Sequence, residues 1–108
     1  MDLTAQQVRI LERLSVHGFQ IVAFPMYANH VGVRKGNCAV LLTPAASGGF
    51  GMYTEPTFLV AGNLSARIHR EGREWFVWKR EVIEATPERL SELEAFSREL
   101  KDMLLPTA

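Results

Sequence analysis

The sequence predicts an α+β fold in which an N-terminal and a C-terminal helix pack on a single antiparallel sheet of about five strands. Both ends of the chain carry amphipathic helical patterns, the middle follows the two-residue period of strands, and short Gly-containing turns separate those strands. The chain has 108 residues, 47% apolar and 22% charged. We therefore expect residues 1–108 to form one domain around one modest core.

The first helix is predicted over residues 4–17. Thr4 can cap its N-terminus with Gln7 as the reciprocal partner, and Gly18 is a suitable C-terminal stop. Its apolar stripe consists of Val8, Ile10, Leu11 and Leu14.

The second helix is predicted over residues 87–105. Thr86 can cap it, Pro87 suits the first helical position, and Pro106 follows its end. Its apolar stripe consists of Leu90, Leu93, Phe96, Leu100, Met103 and Leu104. Such a stripe is typical of a face that packs on the core.

Strands are predicted at residues 19–24, 30–34, 38–43, 57–62, 64–70 and 73–85. A turn at Lys35-Gly36 or at Gly36-Asn37 closes one hairpin, and a turn at Glu71-Gly72 closes the other. The register of the second hairpin stays open, because Trp75 lies opposite Ile68 in a two-residue turn and opposite Arg67 in a turn with a glycine bulge.

Several strands are apolar at every position, notably "AVLL", "FLVA" and "WFVW". This pattern indicates that both faces of those strands are shielded from water, which two helices alone cannot achieve. Either the segment 44–57 folds over the sheet or a second copy of the chain does. We expect a homodimer through a sheet face or edge.

The stretch "PMYANHVGVRKGNC", residues 25–38, concentrates reactive side chains, including His30 and the lone cysteine, Cys38. In the predicted hairpin the two lie about 10 Å apart or more, too far for a thiol–imidazole couple. We therefore expect Cys38 to be a small buried hydrophobic residue and nominate no catalytic residue.

Neither a metal nor a cofactor is predicted. The possible ligands His17, His30, Cys38 and His69 lack the paired short spacing of a zinc site. The "GGFG" of residues 48–51 matches neither the dinucleotide fingerprint nor a Walker loop.

The glycine-containing segment 44–57 either covers the sheet or acts as a lid or contact loop beside residues 25–38. On the second interpretation the chain is a small enzyme or a ligand-binding protein. Its ligand-binding residues would then be Tyr27, His30, Phe50 and Tyr53.

Charge is distributed unevenly, although the net charge is zero. Residues 1–80 hold nine Lys/Arg and five Asp/Glu, a sum of +4, whereas residues 81–108 hold three and seven, a sum of −4. In the hairpin 64–80, cations interleave with aromatic residues, as in proteins that bind single-stranded nucleic acid. These cations are Arg67, Arg70, Arg73, Lys79 and Arg80. The apolar core competes for the same aromatic rings, so nucleic acid remains the less favoured partner.

The sequence itself names no activity. We predict a small non-catalytic binding or interaction domain that forms a homodimer, with an unidentified protein or small molecule as a further partner. Nucleic-acid binding and the small enzyme are the alternatives. One cysteine and the lack of a signal-peptide or membrane-span pattern predict a cytoplasmic location without membrane contact.

Overall fold

The computed structural model describes residues 3–104, and for Pro25 only the backbone. Within that range it contains two α-helices, one short 3₁₀ helix and nine strands. The helices are α1 (Ala5–Val16) and α2 (Pro87–Leu104), and the 3₁₀ helix spans Pro25–Tyr27. The strands are β1 (Gln20–Val22), β2 (Val31–Lys35), β3 (Cys38–Pro44), β4 (Phe50–Met52), β5 (Thr57–Val60), β6 (Asn63–Leu64), β7 (Ala66–Arg70), β8 (Arg73–Trp78) and β9 (Glu81–Glu84). Pro106 and the last residue of the predicted helix 87–105 lie outside the described residues.

The strands form two antiparallel sheets. Six make the first sheet, in the order β1-β2-β3-β5-β6 with β4 also paired to β3, and the remaining three make a second sheet in the order β7-β8-β9. The α+β class with antiparallel pairing is thus confirmed, but the prediction of a single sheet of about five strands is wrong.

Two breaks explain why one sheet became two. The predicted strand 64–70 is interrupted at Ser65, whose carbonyl accepts a hydrogen bond from the Thr57 hydroxyl and whose own hydroxyl donates to the Phe58 carbonyl. The predicted strand 73–85 is divided by a two-residue turn at Lys79-Arg80, with Lys79 at φ 54°. The chain therefore passes from the first sheet to the second at Ser65 and reverses at Lys79-Arg80, where continuous strands were expected.

Both helices begin where their capping residues predict. The Gln7 amide donates to Thr4 Oγ1 at 3.1 Å, and the Thr4 amide donates to Gln7 Oε1 at 2.9 Å, which completes a capping box. The Arg89 amide donates to Thr86 Oγ1 at 3.3 Å at the start of α2. Each cap satisfies backbone donors that the first turn of a helix leaves unpaired.

Gln7 also fixes the segment that follows β3. Its buried side-chain amide donates to the carbonyls of Ala45 at 3.2 Å and Gly49 at 2.9 Å. Val8, which was predicted in the apolar stripe, is 41% exposed. The face of α1 that packs inward therefore includes a polar residue, because that residue is needed to hold residues 45–49 against the helix.

The core lies between the helices, one face of the first sheet and the inner side of the second sheet, whose Phe76 ring stacks on Phe58 with centroids 5.4 Å apart. Cys38, Val40 and Leu42 alternate along β3 toward this core and are fully buried. From α2, the buried residues are Leu93, Phe96 and Leu100, as the predicted stripe requires. The Phe96 ring packs against the Phe19 ring with centroids 5.7 Å apart.

The second face of β3 is also closed to solvent, because Ala39 and Leu41 have no exposed surface. Leu41 lies opposite Gly32, and the Phe24 ring occupies the space above Gly32, where a Cβ would lie 2.7 Å from it. The Tyr53 amide donates to the Leu41 carbonyl at 2.8 Å. In the segment 44–57, predicted as a possible cover, residues 50–52 form a strand of the sheet itself, and the Tyr53 ring stacks on His30.

Phe96→Ala tests the helix-to-sheet packing. Because Phe96 is 5% exposed, its truncation leaves a cavity and should lower the free energy of unfolding by about 3 to 5 kcal/mol in urea titration. The control Val16→Ala, at an 83% exposed position, should change that free energy by less than about 0.5 kcal/mol. Similar losses for both variants would contradict this packing.

Candidate functional site

Three of the four residues predicted to bind a ligand lie together. The rings of His30 and Tyr53 stack with centroids 3.8 Å apart, and the Tyr27 ring lies 6.5 Å from His30 in a tilted orientation. The Nδ1 atom of His30 is hydrogen-bonded to Thr43 Oγ1 at 3.0 Å. Tyr53 is 56% exposed, so the stack forms part of the surface.

Phe50, the fourth predicted ligand-binding residue, lies on the opposite side of the sheet. It packs against the hydrophobic core, in register with Pro44, whereas Thr43 pairs with Gly51. Because successive residues of a strand face opposite sides, Phe50 shares the core face while Tyr53, three positions later, shares the face of Thr43. The four residues therefore do not form one site.

Cys38 and His30 are separated, as the hairpin geometry predicted. The turn is Gly36-Asn37, with Gly36 at φ 60°, so Cys38 pairs with Lys35 and the Lys35-Gly36 alternative is wrong. Cys38 is fully buried and its Sγ lies 4.0 Å from Glu92 Oε2. Burial, reinforced by the Glu92 carboxylate, raises the pKa of the thiol to about 12. A thiol held protonated in this way is a poor nucleophile.

No metal centre is formed by the described part of the chain. Within residues 3–104, no three side chains of the His, Cys, Asp and Glu types lie close enough to hold a metal ion. The His17 Nδ1 is instead within 2.8 Å of the Arg13 carbonyl, at the end of α1.

The second sheet has one apolar face directed away from the core. Along β8, Phe76 and Trp78 belong to the core side, whereas Trp75 and Val77 alternate with them and lie outside the core cluster. Residues paired with these two extend the same face onto the neighbouring strands. We call this surface the outer face, and it consists of Ala66, Ile68, Trp75, Val77 and Val82, together with Glu84, which also pairs with Trp75.

The outer face is partly open to solvent. Val82 is 52% exposed, and Ile68, Trp75 and Val77 are half-buried. Together with residues from the two flanking turns they line a shallow groove of about 420 Å³. Trp75 is anchored there by its indole N–H, which lies 3.4 Å from the Arg70 carbonyl. A fixed aromatic ring with aliphatic neighbours is a suitable floor for a docking partner.

Three of the five cations predicted to bind nucleic acid line the groove on the outer face, Arg70 at one end and Lys79 and Arg80 at the other. Arg67 lies on the core side and forms an ion pair with Glu74, Arg73 lies 3.5 Å from Glu84, and the Lys79 ammonium lies 4.8 Å above the Trp78 ring. Only part of the predicted basic cluster thus adjoins the exposed apolar surface.

A larger groove of about 650 Å³ lies between α2 and the segment before β5. It combines Arg67 and Lys101 with Glu55 and Glu94 over Leu90 and other apolar residues. Because its charges balance, the groove shows no preference for an anionic or a cationic ligand.

The register of the second hairpin determines which side chains of β8 lie on the outer face. The two-residue turn Glu71-Gly72 pairs Ile68 with Trp75, which is one of the two registers left open by the sequence. This choice directs Trp75 outward and Trp78 inward. Because strand side chains alternate, Phe76 then lies on the side of the sheet opposite Trp75.

Comparison of the chain with family models, curated proteins and solved structures gives no match. Neither α1 nor α2, the helices of the described range, has the length and apolar character required to cross a membrane.

The buried thiol predicts a specific pH dependence. In the unfolded chain Cys38 ionises near its ordinary pKa of 9.0, but in the folded chain only near 12. Raising the pH through this window should therefore favour unfolding, by at most about 1.4 kcal/mol per pH unit. Urea titrations of the wild type and Cys38→Ala at several alkaline pH values measure the difference. Parallel stability profiles of the two proteins would contradict the raised pKa.

Proposed function

We propose that the chain is a small non-catalytic interaction domain that binds its partner through the outer face of β7, β8 and β9. The observation that carries this proposal is the apolar floor around Trp75, which lies outside the core and adjoins solvent. The first sheet differs, because its central strand is buried on both faces. An apolar surface rimmed by charged residues is typical of a protein docking site.

Two features support binding over catalysis. Cys38 is buried with a raised pKa, so it lacks the thiolate that a nucleophile requires. The stack of His30 on Tyr53 is held to Thr43, and Phe50 faces the other side of the sheet. The enzyme and ligand-site alternative therefore retains Tyr27, His30 and Tyr53 but not Phe50.

Self-association and a cytoplasmic location remain predictions from the sequence. The outer face is the surface at which a homodimer would form, because the second face of β3 is already covered by the same chain. An unidentified protein is the other candidate for this surface.

Site-specific photo-crosslinking in cells tests the proposed docking surface. A photoreactive residue in place of Val82 should form adducts, because that side chain lies on the exposed apolar floor. The same residue in place of Ser91, exposed on α2, is the matched control. Equal labelling at both positions, or none at position 82, would overturn the proposal. Adduct mass identifies a second copy or another protein, and nuclease sensitivity identifies nucleic acid.

Single-stranded nucleic acid is a second candidate partner, favoured by the position of the Trp75 ring between Arg70 and Arg80. One ring gives it fewer stacking platforms than such proteins usually provide.

If nucleic acid binds the outer face, an oligothymidine should quench Trp75 fluorescence, and the effect should decrease with salt. Arg80→Glu should then weaken binding, while Arg98→Glu on α2 makes the same charge change elsewhere and should not. The measurement uses the Trp78→Phe variant, which removes the second of the two tryptophans so that the fluorescence reports Trp75 alone. Unchanged fluorescence at low salt would exclude this second candidate.

A further inference from the structure

We propose that the outer face binds a short acidic amphipathic helix of another protein, which lies along β8 with its apolar side on the Trp75 ring. This inference rests on the proposed function, since it names the class of partner for the same surface. It is carried by three observations: the second sheet has no helix on its outer side, the face has the dimensions of one short helix, and cations predominate around its groove.

Helices cover the second sheet on one side only. Both α1 and α2 contribute their buried residues to the core cluster, which contains Phe76 on the inner side of β8 but not Trp75 or Val77. An amphipathic helix is a suitable cover for the outer side, because its backbone amides and carbonyls bond to one another. An extended segment laid on this face would leave its own backbone groups unpaired against apolar side chains.

The dimensions of the face match one helix better than a folded domain. Three strands about 4.8 Å apart give a surface about 14 Å wide, and a helix with its side chains is about 10 to 12 Å wide. Strand β8 has six residues and is therefore about 20 Å long, the length of roughly 13 helical residues. Such a face is too small for the roughly 1,000 Å² that a specific contact between two folded domains requires.

The groove on this face sets the chemistry of the buried side of the helix. Its floor of about 420 Å³ is lined by aliphatic side chains around one indole ring: Ile68, Trp75, Val77 and Val82. A helix offers apolar side chains to such a groove at positions i, i+3, i+4 and i+7. The partner is therefore expected to carry large apolar residues at this spacing.

Cations predominate around the groove. Three of the four charged residues that line it are positive, namely Arg70, Lys79 and Arg80. The fourth is Glu71. Arg73 and Glu84, which also lie on this face, are 3.5 Å apart and offset each other. The remaining excess of positive charge favours a helix whose solvent-facing residues include Asp and Glu.

The positive charge is concentrated at one end of the groove. Arg70 lies beside Glu71 at the other end, where opposite charges offset each other. Arg80 is exposed and forms no ion pair with another residue of the range 3–104. Glu81, the next residue, shares the inner side of the sheet with its pairing partner Trp78. We therefore expect the carboxylates of the partner helix at the Arg80 end.

Selection from a phage-displayed library of peptides about 14 residues long tests this class of partner. In one half of the library apolar residues occupy helical spacing, and in the other half they occupy every second position. The remaining positions vary among Asp, Glu, Lys, Arg, Ser and Gln. The immobilised full chain should enrich peptides that combine helical spacing with an excess of Asp and Glu.

Two variants at exposed valines show whether the enrichment depends on the outer face. Val82→Asp places a carboxylate in the apolar floor and should abolish the enrichment. Val8→Asp, at a position of similar exposure on α1, should leave it unchanged. Circular dichroism should show that both variants fold like the wild type.

Arg80→Glu tests the charges, with binding of the selected peptide measured by the fluorescence anisotropy of a dye attached to it. This variant should weaken binding by on the order of tenfold at low salt, because an attractive contact becomes repulsive. The same peptide with Lys in place of Asp and Glu should bind Arg80→Glu more tightly than it binds the wild type. Arg98→Glu on α2 makes the same charge change away from the groove and should have no effect.

The remaining outcomes separate this inference from the proposed function. Enrichment of basic or uncharged peptides that Val82→Asp abolishes would overturn the acidic partner while leaving the outer face as the docking surface. Enrichment of the alternating pattern would overturn the helix, and displacement of the selected peptide by an equal concentration of oligothymidine would favour nucleic acid instead. A selection that enriches no peptide would overturn the inference as a whole. Selective crosslinking at position 82 would then still support the outer face as a docking surface.

Discussion

The complete burial of residues 38–42 on both sides of β3 is the constraint on which the rest of this structure depends. A strand without solvent on either face needs a separate cover for each set of alternating side chains. The two helices cover the set that contains Val40, while residues from both flanking segments lie over the set that contains Leu41. Both helices and two of the loops therefore pack around this one strand.

Several unusual local features follow from this requirement. Gly32 lacks a side chain because the Phe24 ring occupies its space above the sheet. Strands β4 and β5 pair with successive parts of β3, and Thr54 lies between them in the chain. Its hydroxyl accepts a hydrogen bond from the Leu41 amide of β3 at 3.2 Å. Gln7 is buried in the apolar stripe of α1, where its side-chain amide donates to the carbonyls of Ala45 and Gly49 in the loop after β3. Thr54 thus satisfies a backbone donor of β3, and Gln7 ties the following loop to α1.

A structural feature could be predicted from the sequence when neighbouring residues determine it. The caps at Thr4 and Thr86 and the Gly-containing turns at residues 36 and 72 were correct, because neighbouring residues determine these structures. The turn at Lys79-Arg80 lacks both Gly and Pro, and therefore gave no sequence signal even though it divides a predicted strand. Division into two sheets depends on such turns and on long-range pairing.

The candidate site shows the same division between local and long-range information. The convergence of His30 and Tyr53 was anticipated from composition, and the ladder of β2, β3 and β4 produces it. The exclusion of Phe50 depends on its odd or even position in that ladder, which composition does not contain. Likewise, the basic cluster was read from the sequence as one patch, but pairing places Arg67 and Arg70 in different surroundings.

The carboxylates of α2 explain why this acidic helix is not the docking surface that we propose. Glu99 pairs with Lys35, Glu94 pairs with Arg98, and Glu92 accepts from the Asn37 amide at 3.0 Å. The contacts of Glu99 and Glu92 hold the β2–β3 turn against α2, and the Glu94–Arg98 pair lies within the helix. Much of the acidic charge counted in the sequence therefore already has partners in its own chain. The opposite charges of Glu71 and Arg80 have no such internal use within the described residues. They lie in the two turns at the ends of β8, beside the apolar side chains of the outer face.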